Sequence, residues 1–222
     1  MSIVQAALWQ SILPAGVAAY ETRDFLHDAA LFDAERVLVA GAVPKRIAEF
    51  AAGRLCARRA LADLGCESAP LLRGSDRRPL WPGGTLGSIT HTDTYCAAVA
   101  ARHDAVAGIG IDAETVGRID DPLLRKICTD DELARLMRLP APRRLQEATL
   151  IFSAKEAFYK CHCSAGGGWL DFHDVALDYN AETFRVRPQR AFEQTWRGEA
   201  LPVGSYKLDG DLICCAVAFP AQ

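Results

Sequence analysis

Residues 108–115, GIGIDAET, place an apolar run with two glycines directly before two carboxylates. The β-branched residues predict a strand, in which Asp112 and Glu114 project from the same face about 6.5–7 Å apart. Like charges this close repel each other. This stretch therefore raises the question of what cancels the repulsion.

Composition and charge describe an ordinary globular protein. The 222 residues are 50% hydrophobic and 24% charged, enough to bury the core of one large or two small domains. The net charge of -3 argues against general binding to nucleic acid or to a membrane surface. No apolar stretch of the sequence is long enough to span a bilayer.

The eight cysteines form no C-x-x-C pair and no zinc-like spacing. Most of them lie beside Ala, Leu, Ile or Val, which favours reduced thiols buried in the core. No Lys or Arg precedes Arg23, and Pro14 and Gly16 interrupt the only apolar run near the N-terminus. These features predict a cytoplasmic protein.

Helix and strand patterns mix along the chain without regular βαβ alternation, which predicts an α+β fold. Helical periodicity covers 44–64, 121–138 and 144–163, with Pro44 suited to a first turn and Gly65 to a C-cap. Strands are predicted at 86–90, 95–102, 106–112, 175–179, 184–186, 205–208 and 212–219.

One internal similarity suggests how these elements are organised. YCAAVAAR at 95–102 resembles ICCAVAFP at 213–220, and each follows a short strand and a turn with a long helix further upstream. The chain is therefore expected to form two similar halves, 1–108 and 109–222, that meet near the acidic pair.

The helix at 44–64 carries arginine on its apolar side. Arg54 lies near the centre of the apolar stripe and Arg58 about 40° from it. A core-facing arginine needs an anion, which is either a carboxylate of the protein or a bound phosphate; a snorkelling side chain is the third possibility. Further cations gather nearby at Lys45, Arg46, Arg59, Arg73, Arg77 and Arg78. A ligand with several phosphates and a structural ion pair both remain open.

The third helix contains FSAKEAFYK at 152–160, with apolar residues on two faces. Glu156 and Lys160 are four residues apart and form either a surface ion pair or part of a site. A third half-buried carboxylate beside Asp112 and Glu114 is what a Mg²⁺ site needs, since Mg²⁺ prefers oxygen ligands.

Four segments in this order resemble the 4′-phosphopantetheinyl transferases of the surfactin type, and within them the group of enterobactin-synthetase component D. They are KRIAEFAAGRLCARRAL at 45–61, RGSDRRPLWPGGTLGSITHT at 73–92, GIGIDAET and FSAKEAFYK. Arg73 stands where lysine is also seen, and Ala113 occupies a variable position. The resemblance implies a monomeric α+β pseudo-dimer of two similar halves with the active site between them.

The resemblance also implies residue roles. Asp112 and Glu114 would hold Mg²⁺ on the pyrophosphate of coenzyme A, with Glu156 completing the metal site or acting as general base. Lys160 and Lys155 would face the pyrophosphate. The positions that match contacts of coenzyme A are Arg46, Arg54, Arg73, Gly74, Ser75, Asp76, Thr90 and His91.

The implied reaction transfers phosphopantetheine to a serine of an apo carrier protein and releases adenosine 3′,5′-bisphosphate. Basic and apolar residues interleave over 118–144. The resemblance suggests that this segment is the docking surface for an acidic carrier; the alternative is an amphipathic helix that packs its leucines on the core and leaves its charges in water, and both can hold for different faces. Two other functions remain: a non-catalytic module that binds coenzyme A or a carrier, and a Mg²⁺-dependent phosphohydrolase. The intact acidic set argues against the first, and the arginine-rich helix together with GSITHT argues against the second.

Overall fold

A computed structural model describes residues 3–25, 31–192 and 202–221 of the chain. The chain divides into two compact units, Met1–Val106 and Ala107–Gln222. The division lies two residues before the boundary expected from the sequence. Each unit places helices against a sheet of its own, which confirms the predicted α+β class.

The first unit is a helix packed on a four-stranded antiparallel sheet. The sheet has the order β1-β2-β4-β3. Helix α3 packs on β4 and β2. The elements are β1 Val4–Gln5, α1 Ala7–Gln10, β2 Ala18–Thr22, α2 Asp33–Arg36, a 3-10 turn at Val37–Val39, α3 Pro44–Asp63, β3 Thr85–His91 and β4 Cys96–Arg102.

Small side chains set the close packing of α3 on β4. Pro44 opens the helix, and Gly65 follows its end with a φ of 75°, a left-handed conformation that favours glycine. On α3, Ala57 and Ala60 are buried and pack near Ala98 and Ala100 of β4, a strand made largely of alanine. This packing confirms the predicted helix and fixes the positions of its arginines.

The second unit has a five-stranded sheet in the order β5-β9-β8-β7-β6. The longest helix, α6, packs on β9. The elements are β5 Val106–Thr115, α4 Asp121–Ile127, α5 Asp130–Leu136, α6 Ala141–Ser164, a 3-10 turn at Phe172–Asp174, β6 Val175–Tyr179, β7 Thr183–Pro188, β8 Val203–Asp209 and β9 Leu212–Pro220.

All seven strands expected from the sequence are present, but the single helix expected over 121–138 is wrong. The chain forms α4 and α5 instead, with a break at Cys128 and Thr129. Thr129 caps α5: its hydroxyl accepts a hydrogen bond from Glu132 N, and Glu132 accepts one from Thr129 N. This capping box starts a new helix where periodicity alone continues the old one.

The similarity between 95–102 and 213–220 corresponds to β4 and β9, and each of these strands packs against the longest helix of its unit. The two halves are therefore alike in construction. Across the described ranges, no helix has the length and apolar character needed to cross a membrane.

Candidate functional site

Two glycines of β5 bring α6 close to the strand. A methyl group at Gly110 would lie 2.0 Å from Ala157 O, and one at Gly108 would lie 2.9 Å from Cys161 O. The helix backbone thus rests where β5 has no side chains. Because side chains alternate along a strand, Asp112 and Glu114 follow the glycines on this same face. The apolar half of GIGIDAET therefore positions the helix, and the acidic half meets its polar residues.

Lys160 of α6 lies beside the acidic pair. Its Nζ lies 2.6 Å from Asp112 Oδ1 and donates a second hydrogen bond to Ile111 O at 3.3 Å. Asp112 is only 4% exposed, whereas the Lys160 side chain is 28% exposed. The pair is thus buried on the carboxylate side and open to solvent on the ammonium side.

Glu114 and Glu156 belong to the same charged group. The pKa of Glu114 is raised to about 7, first by burial and then by the charge of Asp112, while Lys160 opposes the shift. Burial also raises the pKa of Glu156, and Lys160 again opposes the shift. The pKa of Lys160 is raised because Asp112 and Glu156 outweigh the effect of its burial. One ammonium is thus shared by three carboxylates, which leaves the group net negative when all are ionised.

The chemistry of this donor set fits a hard divalent cation. Carboxylate oxygens are ligands that Mg²⁺ prefers, and the excess negative charge favours a cation. In the described part of the chain, no group of three or more His, Cys, Asp or Glu side chains already has the arrangement of a metal site. Asp112, Glu114 and Glu156 therefore stay a predicted ligand set.

Lys155 does not lie where the resemblance suggests. Its side chain is 1% exposed, and its Nζ donates to Glu132 Oε2 at 2.7 Å and to the carbonyls of Ile127 and Phe172 at 2.9 Å. An ammonium has three protons, and three protein acceptors engage all of them. The structure thus corrects the expectation that Lys155 faces the pyrophosphate of coenzyme A.

In the first unit, Arg54 is held in the core as the sequence indicates. Its Nε donates to Leu71 O at 2.7 Å, and the guanidinium lies over the Phe50 ring, 4.1 Å from its centre. Burial lowers the pKa of Arg54 to about 10, and Glu35 opposes the shift, so the side chain is still charged at neutral pH. Within the described ranges Arg54 makes this one hydrogen bond, through Nε. Its terminal amino groups are thus suited to an anion.

Glu35 is a buried carboxylate beside the two core arginines that the sequence analysis did not identify. It is fully buried and accepts two bonds from Arg58 Nη1, at 2.8 and 2.9 Å, and one from Leu71 N at 2.9 Å. Of the two core arginines, Arg58 is therefore the one that forms a structural ion pair with a carboxylate, and Arg54 is not. The short α2 gave no periodic signal from which this carboxylate could have been identified.

Arg46 and His91 come together at the N-terminal end of α3. Arg46 Nη1 lies 3.0 Å from His91 Nε2 and 3.3 Å from Glu49 Oε2. Thr90, the residue before His91 on β3, is buried. Two of the predicted contacts of coenzyme A, on a helix and on a strand, are thus side by side.

The segment from Arg73 to Arg78 is a tight turn. Gly74 N donates to Arg78 O, and Asp76 accepts hydrogen bonds from the backbone and side chain of Arg78, which lower its pKa. Arg73 Nη2 donates to Leu38 O at 3.2 Å, and Ser75 is exposed. The turn presents Arg73 and Ser75, whereas Asp76 is engaged within it.

A cavity of about 540 Å³ lies in the second unit beside Glu156. Its wall is largely apolar and aromatic, and Trp169, which is 75% exposed, stands at its edge with the Tyr159 ring 5.5 Å away. Other lining residues include Leu123, Arg125, Lys126, Phe158, Phe172 and Val175. The volume is that of a typical small-molecule site.

Two family models match the chain. The model described as the 4′-phosphopantetheinyl transferase N-terminal domain matches residues 34–101, and the model of the 4′-phosphopantetheinyl transferase superfamily matches residues 108–216. Together they include every candidate site residue described above.

Curated relatives carry the same description. The chain is 42% identical over 160 residues to the 4′-phosphopantetheinyl transferase Svp of Streptomyces mobaraensis, covering 71% of this chain and 65% of the relative. It is 35% identical to Npt of Nocardia iowensis, covering 78% and 77%. With enterobactin synthase component D of Salmonella typhimurium it shares 41% identity, covering 52% and 48%. The chain thus spans a little under two thirds of Svp and about half of the enterobactin component.

Proposed function

We propose, because the chain belongs to the 4′-phosphopantetheinyl transferase superfamily, that it transfers the 4′-phosphopantetheine group of coenzyme A to a serine of an apo acyl or peptidyl carrier protein. The observation that carries this proposal is the charged group of Asp112, Glu114, Glu156 and Lys160. Three carboxylates around one ammonium suit a reaction at a phosphate that needs both a cation and a base.

The reaction exchanges a phosphoanhydride bond of coenzyme A for a phosphoester bond of the carrier. The serine oxygen of the carrier bonds to the β-phosphorus of coenzyme A, and the bond from that phosphorus to the oxygen bridging the two phosphates breaks. The products are holo-carrier and adenosine 3′,5′-bisphosphate. Negative charge grows on the leaving phosphate, so nearby cationic groups lower the barrier. Lys160, whose side chain is 28% exposed, is the residue of the second unit suited to this task.

Asp112, Glu114 and Glu156 would hold Mg²⁺. When bound, Mg²⁺ supplies charge neutralisation and orientation for the pyrophosphate of the substrate. The pKa of Glu114 is raised first by burial and then by the charge of Asp112. A divalent cation would relieve the repulsion between these two carboxylates, which supports this assignment.

The proton of the attacking serine needs an acceptor. Glu156 is the candidate general base, directly or through a water, because its pKa is raised toward the range where a carboxylate accepts protons effectively. Metal binding and proton acceptance compete for this carboxylate.

The nucleotide end of coenzyme A is assigned to the first unit. Arg54 contributes a buried positive charge, and Arg46 and His91 contribute polar groups side by side. With Arg73, Gly74, Ser75, Asp76 and Thr90 they form the proposed binding set. The engagement of Asp76 with Arg78 makes it a residue that shapes the turn.

The cavity beside Glu156 supports a place for the pantetheine arm. The arm is a flexible chain with amide groups and apolar carbons, and the cavity wall is largely apolar with a few polar groups. Its position next to Glu156 would leave the arm near the reacting phosphate.

The carrier protein is proposed to dock on the segment 118–144. Arg125, Lys126 and Arg138 are exposed, and Met137 adds an exposed apolar side chain. An acidic helical carrier complements such a surface in charge.

The test is mass spectrometry of apo carrier proteins incubated with the chain, coenzyme A and Mg²⁺. A carrier serine should gain one phosphopantetheine, and removal of Mg²⁺ by a chelator should stop the gain. Asp112→Ala and Glu114→Ala should reduce transfer by at least about 100-fold, in the range for lost stabilisation of transition-state charge. Asp178→Ala is the control, since Asp178 is an exposed carboxylate of the same unit that pairs with Arg187.

Other outcomes separate the remaining functions. Release of inorganic phosphate without a change in carrier mass would indicate a phosphohydrolase. Binding of coenzyme A without turnover on any carrier would indicate a non-catalytic module. Near-wild-type transfer by Asp112→Ala at limiting Mg²⁺ would refute the metal assignment.

A further inference from the structure

The buried pair of Lys155 and Glu132 joins several chain segments. Lys155 on α6 donates to Glu132 on α5, to Ile127 O at the end of α4, and to Phe172 O in the 3-10 turn. Glu132 in turn accepts hydrogen bonds from Leu177 N at 2.9 Å and from the backbone of the helix cap before it. One ion pair, with side chains 1% and 3% exposed, thus bonds α4, α5, α6, β6 and the turn that precedes β6.

The same segments form the cavity beside Glu156. Its wall includes residues of α4, of α6, of the 3-10 turn and of β6, and Lys155 itself is part of it. Two of the three acceptors of Lys155 are backbone carbonyls, so the bonds fix main-chain positions and do not merely orient side chains. One ammonium group thus bonds directly to several of the segments that form this wall.

We infer that Lys155, paired with Glu132, is a positioning residue that sets the width of the cavity for the pantetheine arm and does not contact the phosphates of coenzyme A. This inference rests on the proposed function. It replaces the role that the sequence resemblance implies for Lys155. It also adds Glu132, for which no motif in the sequence indicates a place in the site.

Two compounds separate positioning from phosphate contact. Coenzyme A carries the pantetheine arm, and adenosine 3′-phosphate 5′-diphosphate carries the same phosphates without it. In Lys155→Met, affinity for coenzyme A should fall by about tenfold or more, because small misplacements of a site have large effects. Affinity for adenosine 3′-phosphate 5′-diphosphate should change less than about twofold, within the scatter of a neutral surface substitution. Calorimetry measures both.

Two further variants keep the test independent of folding. Lys155→Met leaves the charge of Glu132 buried and unpaired, which is strongly destabilising. The double variant Lys155→Met/Glu132→Gln removes that charge as well. Affinities of both variants are measured at a temperature below the unfolding transition of each. Lys155→Arg should behave like Lys155→Met, since a guanidinium cannot reproduce three converging bonds from one nitrogen. A phosphate contact would instead tolerate arginine. Lys207→Met, at an exposed lysine of β8, is the control.

Each possible result of these binding measurements leads to a different conclusion. Loss of affinity for coenzyme A alone, in Met and Arg variants alike, supports the inference. A parallel loss for both compounds, or no loss for either, overturns it while leaving the proposed function intact. Failure of the wild-type chain to bind either compound would refute the proposed function, and the inference with it.

Discussion

Three of the four buried carboxylates in the described residues, Glu35, Glu132 and Asp112, pair with basic side chains that differ in their exposure to solvent. Glu35 and Glu132 pair with Arg58 and Lys155, whose side chains are 9% and 1% exposed. Asp112 pairs with Lys160, which is 28% exposed. A buried pair with full hydrogen bonding stabilises one arrangement and is costly to open. The Asp112 pair is therefore the one suited to exchange its partner for a ligand.

Arg54 provides the clearest single-residue prediction in the first unit. Arg54→Ala should weaken coenzyme A binding by about 1–3 kcal/mol, the range for a hydrogen bond to a charged group. Arg59→Ala is the matched control, because Arg59 is an exposed arginine of the same helix. Calorimetry compares the two affinities, and thermal unfolding checks that both variants fold.

Equal affinities in the two variants would mean that Arg54 serves the fold alone, through Leu71 O and the Phe50 ring. A lowered melting temperature is expected for Arg54→Ala in either case, since both contacts are lost. The binding difference measured below the unfolding transition is thus the decisive quantity.

At the scale of elements, the site depends on how closely α6 approaches β5. Gly108 and Gly110 leave no side chain between the strand and the helix, and Ser164 Oγ accepts a hydrogen bond from Ile109 N at 2.8 Å and donates one to Ile109 O at 3.0 Å. The helix is thus held at both its packing face and its end. Lys160 reaches Asp112 because of this separation.

Gly110→Ala should push α6 away from β5 and disconnect Lys160 from Asp112. The added methyl would lie 2.0 Å from Ala157 O, so we expect a loss of about 1–3 kcal/mol in the free energy of unfolding, typical of overpacking, together with a large loss of transfer. Denaturant unfolding and the carrier assay measure the two effects. Gly168→Ala is the control, since a methyl there meets nothing within 4 Å. Full activity in Gly110→Ala would show that the helix has room to move.

Sequence periodicity predicted the helices and strands that carry the site, but it missed features set by tertiary partners. Pro44 and the pattern after it locate α3, because both signals are local. The break between α4 and α5 depends on a capping box that periodicity does not detect, although the residues Thr129 and Glu132 carry it. The family resemblance implied that Lys155 contacts the pyrophosphate. Its buried partner, Glu132, comes from another helix, and no local sequence pattern predicts such a partner.

At the scale of the whole molecule, two units of similar construction hold different chemistry. Each places its longest helix against an antiparallel pair of strands, yet the first unit gathers arginines on α3 and the second gathers carboxylates on β5 and α6. The construction was predictable from the similarity of two strand sequences, whereas the hydrogen-bonded partners were not.

Charge is also unevenly distributed along the chain. The net charge is -3, but residues 118–144 contain seven Arg or Lys and five Asp or Glu. Their basic residues are not equivalent. Arg135 lies over the Tyr179 ring at 4.5 Å and Arg143 bonds to Glu147 at 2.8 Å, whereas the side chain of Arg138 is exposed beside the exposed Met137. Arg138 is thus, with Arg125 and Lys126, one of the exposed basic residues of the segment.

Reversing charge at this surface should weaken carrier docking and leave coenzyme A binding unchanged. Arg138→Glu should raise the apparent KM for the carrier by about fivefold or more at low salt, because exposed charges steer association until salt screens them. Adding Arg135→Glu should enlarge the effect, with some loss of stability because the contact of Arg135 with the Tyr179 ring is removed.

The control for this charge reversal is Arg185→Glu, at an exposed arginine of β7. Initial rates over a range of salt measure the effect, and the variant's KM should depend less on salt than that of the wild type. A carrier KM that stays at the wild-type value across all salt concentrations would mean that the carrier docks elsewhere.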